Sequence, residues 1–467
     1  MTIEELSRGI EEGKWTCRDL VCRCLAAIAA NDSAGRKLNS VAEINPDVFF
    51  EADRIDAEIR EKGRRSPLHG VPVLLKDNID VRNMHTTAGS LALADLIAEE
   101  DAPLSERLRQ AGALILGKSN LSEFAYFMSR QDMPSGYSSR GGQVVHAYVP
   151  GVDPSGSSSG SAVAVSARFV PYAIGTETDG SLMSPSIANA IVSIKPTVGL
   201  VSRSGILPIS SIQDTAGPMG TSVTDCALVL QAIAGPDEKD AATGRQIVRD
   251  YPASLNTNGR GLKVAVFFNN GNEREYEALQ KARAILEAAG AEVVEAELED
   301  PYLDESEALM HEFKQSLNLY LSSHSSACRS LSDIIAYNNA HPDTCLVHGQ
   351  DLLESSDAKS GRLIEKEYIE KRLELQKVSE ERLLGTLEKY GADCLLGCGS
   401  RPCSNFSPIS GNPCLSLPAC EGDTENWQAC SYYLMAGPFR EDILLHTAYI
   451  LEQNLQLHCC PDWAEEF

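Results

Sequence analysis

Residues 153–196 read DPSGSSSGSAVAVSARFVPYAIGTETDGSLMSPSIANAIVSIKP, two Gly/Ser clusters flanking one apolar run. Ser157 and Ser181 lie 24 residues apart. The stretch Ala162 to Ile174 between them is small and apolar, a pattern that predicts a buried helix leading into a strand. Two serine-bearing turns can therefore meet over one core. Gly/Ser tracts commonly act as flexible linkers. A linker separates independent segments, however, whereas GSSSGS (156–161) runs directly into Ala162-Val163-Ala164-Val165. The glycines here are read as allowing close backbone approach.

The chemistry available to such a pair of serines depends on a base. None of the nine histidines falls in either cluster. Distance in sequence does not exclude a Ser-His-Asp triad, whose members meet only in space. The G-x-S-x-G elbow is nevertheless missing at Ser181, which is followed by Leu182-Met183-Ser184-Pro185 with no second glycine. Lysine is the natural substitute, and Lys76 closes the apolar run Leu74-Leu75 upstream. Its ordinary pKa is about 10.4, so it works as a base only if burial or nearby positive potential lowers that value. Asp77 is expected to point away from the amine.

Seven blocks extend the pattern, in order: HGVPVLLKDNID (69–80), LGKSNLSEFA (116–125), GYSSRGGQ (136–143), GSSSGSAVAVSA (156–167), AIGTETDGS (173–181), IKPTVGLVSRSGILPIS (194–210) and QDTAGPM (213–219). Together they resemble the amidase signature family, whose members hydrolyse amides or transfer acyl groups from them, and the wording is most similar to the bacterial peptide amidases. The resemblance implies an α/β fold, the amidase signature fold, with a central twisted mixed β-sheet sandwiched between α-helices. It implies a Ser-cisSer-Lys triad: Ser181 as nucleophile, Ser157 as the serine of a cis peptide bond relaying the proton, and Lys76 as general base.

The turn Thr178-Asp179-Gly180-Ser181 can supply backbone N–H groups to a tetrahedral oxyanion. By position Ser158 resembles a supporting hydroxyl near the lysine, Ser159 an ordinary turn residue, and Thr176 either a hydroxyl at the edge of the site or a strand-end residue. One departure stands out. Many family members pair an acid at the place of Glu177 with an arginine where this chain has Met183, so Glu177 must find another partner or face water. Peptide amidase-like members also lack that arginine. Activation of serine in this way needs neither metal nor cofactor.

A second motif competes. Gly112 to Ser119 satisfies the G-x-x-x-x-G-K-S pattern of a phosphate loop, but its middle residues Ala113 to Leu116 are an apolar run that reads as a buried strand. A phosphate loop needs exposed backbone N–H groups after the strand, so Lys118 is read as structural.

The 467 residues are read as one amidase domain (1–467): N-terminal helices over 1–66, the signature core over 67–235, and a variable helical and strand region over 236–467 that shapes the substrate funnel. Thr2-x-x-Glu5 and Thr16-x-x-Asp19 are capping signals for two of the first helices. Gly261 to Phe268, Glu273 to Ala289 and Ala291 to Glu295 read as a β-α-β unit, 300–360 as a helical insertion, and Ile364 to Lys389 as a charged helix before a strand at Ala392 to Leu396.

A net charge of −25 disfavours nucleic acid and anionic membrane surfaces. There is no apolar run long enough for a membrane span and no signal-peptide pattern, so the expectation is a cytoplasmic protein, monomer or homodimer. The fourteen cysteines are then read as thiols, not disulfides. The expected substrate is a small molecule or short peptide amide, cleaved to carboxylate and ammonia through an acyl-serine. The alternatives are a fatty-acid or aryl amide hydrolase, the glutaminase subunit of an amidotransferase, or a silent scaffold.

Overall fold

The computed structural model describes residues 2–268, 271–298, 302–420 (the backbone alone at Cys420), 427, 429–455, 457 and 459–464. The described strands are β1 (Val41–Ile44), β2 (Pro72–Lys76), β3 (Leu114–Ser119), β4 (Tyr137–Ser138), β5 (Gly142–Gln143), β6 (Tyr172–Glu177), β7 (Val192–Lys195), β8 (Thr215–Gly220), β9 (Lys263–Val266), β10 (Glu292–Glu295), β11 (Cys394–Gly399), β12 (Cys414–Cys420) and β13 (Cys430–Ala436). Eleven of them form one sheet in the order β1-β3-β2-β6-β8-β7-β12-β13-β11-β9-β10, and β4 pairs with β5 alone. The sheet is mixed: β3-β2-β6 and β11-β9-β10 are parallel runs, joined through antiparallel strands.

Two hydrophobic layers cover its faces, and strand alternation sorts residues between them. Val73 and Leu75 pack on one face with Leu108 and Val229, while Leu74 packs on the other with Val163 and Phe169. By the same alternation Lys76 shares the face of Leu74, which is the face covered by the helix Ser159–Ser166. That helix is buried throughout, so it has no polar side to expose.

The Gly/Ser cluster is not a linker. A Cβ on Gly160 would lie 2.4 Å from the carbonyl oxygens of both Asn120 and Ser40, so only glycine lets the helix start against the ends of β3 and the chain entering β1. Gly117 plays the same part inside β3, where a Cβ would meet the Glu43 carbonyl at 2.1 Å.

Several expectations hold in the structure. Thr2 and Thr16 form capping boxes for the helices Ile3–Glu11 and Cys17–Asn31. The β-α-β unit is β9, the helix Glu273–Ala288 and β10, with β9 and β10 parallel. The region 300–360 contributes helices Ser306–Ser322, Leu331–Ala340 and Asp351–Asp357, and the charged helix spans Lys366–Tyr390.

One is corrected: the segment 1–66 holds β1 besides its helices. The short helix after Ser181 is Met183–Ala188. The C-terminal region, read as mixed helix and strand, supplies β12 and β13, which lie in the middle of the sheet. Pro418 fits there because β12 pairs with β7 only over Cys414 to Ser416, so its missing N–H removes no ladder bond on that side.

Candidate active site

Lys76 ends β2 fully buried, and its Nζ makes three contacts: the Ser157 hydroxyl at 2.8 Å, the Thr176 Oγ1 at 2.9 Å and the Thr176 carbonyl at 3.2 Å. Burial pushes its pKa down to about 7, against the opposing pull of the Asp214 and Glu177 carboxylates. A neutral amine has two hydrogens and one lone pair. If the hydrogens go to the two oxygens of Thr176, the lone pair faces the Ser157 hydroxyl.

Asp77 turns away, as expected. Its carboxylate accepts from the Thr87 hydroxyl and sits 3.7 Å from both Lys118 Nζ and Arg140 Nη1. Lys118 is itself buried in β3 and donates to the His85 carbonyl at 2.7 Å. The residues of the phosphate-loop pattern are thus strand, and the lysine holds Asp77 and the neighbouring loop.

The peptide bond between Gly156 and Ser157 is cis. The Ser157 carbonyl accepts from the Ser122 N–H at 3.1 Å, and the Ser158 N–H donates to the Ser181 carbonyl at 3.2 Å, which ties the two serine turns together. Ser158 serves the lysine indirectly: its hydroxyl lies 3.1 Å from the Thr176 carbonyl and accepts from the Thr176 N–H at 3.3 Å. Ser159 is the first residue of its helix and contacts the Ser155 carbonyl.

Thr176 is the residue whose position decides most. Its Oγ1 accepts from Lys76 and also from Asn78 Nδ2 at 3.0 Å. Asn78 has no role that the sequence alone reveals. It reaches Thr176 because Asp77-Asn78 form a tight turn after β2, closed by the Ile79 N–H donating to the Lys76 carbonyl at 3.0 Å.

Ser181 follows β6 in the turn that leads into the helix Met183–Ala188. Gly180 has φ +76°, a left-handed conformation natural to glycine. The N–H groups of Gly180 and Ser181 donate to no described residue, which leaves them open to a developing oxyanion. Thr178 is fixed on both sides, its hydroxyl donating to Asp214 at 2.5 Å and its carbonyl accepting from Gln213 at 3.2 Å. The Asp179 carboxyl accepts from the Tyr302 hydroxyl at 3.0 Å, and burial followed by repulsion from Glu177 raises its pKa to about 6.

Glu177 finds its partners in the backbone. One carboxylate oxygen accepts from the N–H groups of Leu182 (2.7 Å) and Met183 (3.0 Å), so it holds the start of the helix behind the Ser181 turn without an arginine. Among the described residues no group of three His, Cys, Asp or Glu side chains is arranged to hold a metal ion. Among the same residues no helix is long and apolar enough to cross a membrane.

A family model described as Amidase matches residues 20–397. A probable amidase of Arabidopsis thaliana is 38% identical over 436 residues, covering 90% of this chain and 83% of its own. The crystal structure of the peptide amidase from Stenotrophomonas maltophilia superposes with a TM-score of 0.93 at 39% identity, covering 100% of this chain and 99% of that one. A glutamyl-tRNA(Gln) amidotransferase component from Chromohalobacter salexigens is 36% identical over 307 residues, 65% of this chain and 61% of its own.

Proposed function

The chain belongs to the amidase signature family and is a hydrolase acting on amides, and we propose that its substrate is the C-terminal carboxamide of short peptides. The observation that carries the chemistry is the 2.8 Å contact between the buried, pKa-lowered Lys76 amine and the Ser157 hydroxyl.

In this mechanism neutral Lys76 accepts the Ser157 proton while Ser157 accepts the Ser181 proton, and Ser181 Oγ attacks the amide carbonyl. The N–H groups of the turn Thr178 to Ser181 hold the oxyanion. Collapse of the tetrahedral intermediate returns the proton through Ser157 to the departing nitrogen, ammonia leaves, and an acyl-Ser181 remains. Water, deprotonated by the same relay, then releases the carboxylic acid. Thr176 and Asn78 are positioning residues, and Ser158 supports them.

The peptide-amide reading is supported by full-length likeness to a peptide amidase on both chains. Likeness to the amidotransferase component covers only 61% of that protein, which favours a stand-alone hydrolase. Strands from all three sequence segments share one sheet, which supports treating 1–467 as one domain. The same reading gives a cytoplasmic monomer or homodimer.

The test is ammonia release from amidated dipeptides, fatty amides, anilides and glutamine, with wild type beside Ser181→Ala. Turnover of peptide amides that is lost in the variant is the expected result. Turnover confined to fatty or aryl amides, or to glutamine, moves the substrate. Absence of Ser181-dependent release from every amide overturns the mechanism.

A further inference from the structure

A cleft of about 1070 Å³ is lined in part by Asn78, Thr176 and Thr178, of which Thr176 contacts Lys76. Its lining carries nine carboxylates against three lysine or arginine side chains and one histidine. Pairing of Asp80 with His324 (2.8 Å), Asp240 with Arg203 (2.6 Å) and Glu100 with Lys239 (3.7 Å) leaves it strongly negative.

Two oxygens of the residues lining this cleft are buried and have no hydrogen-bond partner among the described residues: Asn78 Oδ1 and Ser316 Oγ. Their residues are 2% and 7% exposed. A buried polar atom left unpaired is costly, so each marks a place for a donor. The amide oxygen can only accept, and the hydroxyl can accept as well. An anion is excluded by the carboxylates, and the described residues hold no metal-binding group of three. What fits two acceptors in a negative cleft is a cation with several N–H donors.

The cleft is also placed for it. Asn78 Nδ2 donates to Thr176 Oγ1, which accepts from Lys76, so the unpaired Asn78 Oδ1 is one side chain removed from the base. The reaction proposed above releases ammonia beside that base, and ammonia in neutral water takes up a proton. We propose that this cleft binds ammonium groups, resting on the amide-hydrolase reading for their supply. Two sources share this chemistry: the ammonium product, and the free amino terminus of a peptide amide.

The test uses the full chain and a neutral N-acetyl dipeptide amide, with the carboxylate product measured at fixed ionic strength. Ammonium chloride is expected to inhibit, whereas sodium chloride and tetramethylammonium chloride, which offer no N–H donor, do not. Ser316→Ala is expected to raise the half-inhibitory ammonium concentration about tenfold, the loss of one charge-assisted hydrogen bond.

A second arm compares the N-acetyl substrate with its free-amine counterpart. A preference for the free amine that falls in Ser316→Ala and in Glu99→Gln, a variant of another carboxylate lining the cleft, assigns the cleft to the substrate. Binding is read without turnover from broadening of isotopically labelled ammonium resonances by wild type, reduced by Ser316→Ala in a protein of unchanged circular dichroism. Hydrolysis that is indifferent to ammonium, to N-acetylation and to both variants, with no broadening, overturns the cleft and leaves the hydrolase reading standing. Broadening without turnover of any amide keeps the cleft and sinks the hydrolase reading.

Discussion

Lys76 Nζ lies 2.8 Å from the Ser157 hydroxyl across 81 residues of sequence, at a site where neither residue is exposed to solvent. That contact links an amine held near neutrality by burial to a hydroxyl on the turn tied to Ser181. In the proposed mechanism the protonation state of the amine sets when Ser181 can be activated.

Activity should rise with pH as Lys76 loses its proton. Burial depresses its folded-state pKa to about 7, so the base is protonated and silent below that value and neutral above it. The kcat/KM profile for a peptide amide is expected to have its acid limb near pH 7. A profile that is highest in acid contradicts lysine as the base.

Ser181→Ala should remove the nucleophile and lower kcat by at least about 10⁴-fold, in keeping with the cost of losing a nucleophile elsewhere. Lys76→Ala and Ser157→Ala should each cost a comparable amount, since the three act as a unit. Ammonia release measures this, and a circular dichroism spectrum like that of wild type excludes unfolding. Retention of activity in any of the three removes that residue from the relay.

Thr176→Val should leave the fold intact and lower kcat about tenfold, the loss of about one hydrogen bond orienting the amine. It should also move the acid limb to lower pH, because the protonated amine loses an acceptor it shares with Asn78. A purely structural threonine would leave the limb in place.

Glu177→Ala should destabilise the protein by about 1–3 kcal/mol, because the buried N–H groups of Leu182 and Met183 lose their acceptor. Urea unfolding measures this. Glu177→Gln, which keeps a carbonyl oxygen in place, should restore most of the loss; equal damage from both points to the charge instead.

Gly160→Ala should cost at least about 1–3 kcal/mol by forcing a Cβ against two backbone carbonyls. A drop in the thermal midpoint is the readout, and an unchanged midpoint would mean the helix and β3 separate more easily than their packing indicates.

Much of the site was legible because its residues sit in short local patterns. The buried helix and strand between Ser157 and Ser181 follow from an apolar run bounded by turns, and the false phosphate loop was recognisable from the apolar residues that became β3. Asn78 and the capping role of Glu177 were not legible, since both depend on where a side chain points once the turn after β6 has folded.

The amino-acid order by itself determined the capped N-terminal helices, the β-α-β unit and the strands that became β3, β6 and β11, because periodicity, capping and turn residues act over a few positions. The candidates Lys76, Ser157 and Ser181 came from the order of the seven blocks that resemble the amidase signature family. Tertiary structure alone decided that β12 and β13 lie at the centre of the sheet, since strand pairing is chosen between segments far apart in the chain. It also decided the state of Lys76. A lysine is a base near neutral pH only when the surrounding fold removes it from water, and the sheet and Thr176, 100 residues away, supply that surrounding.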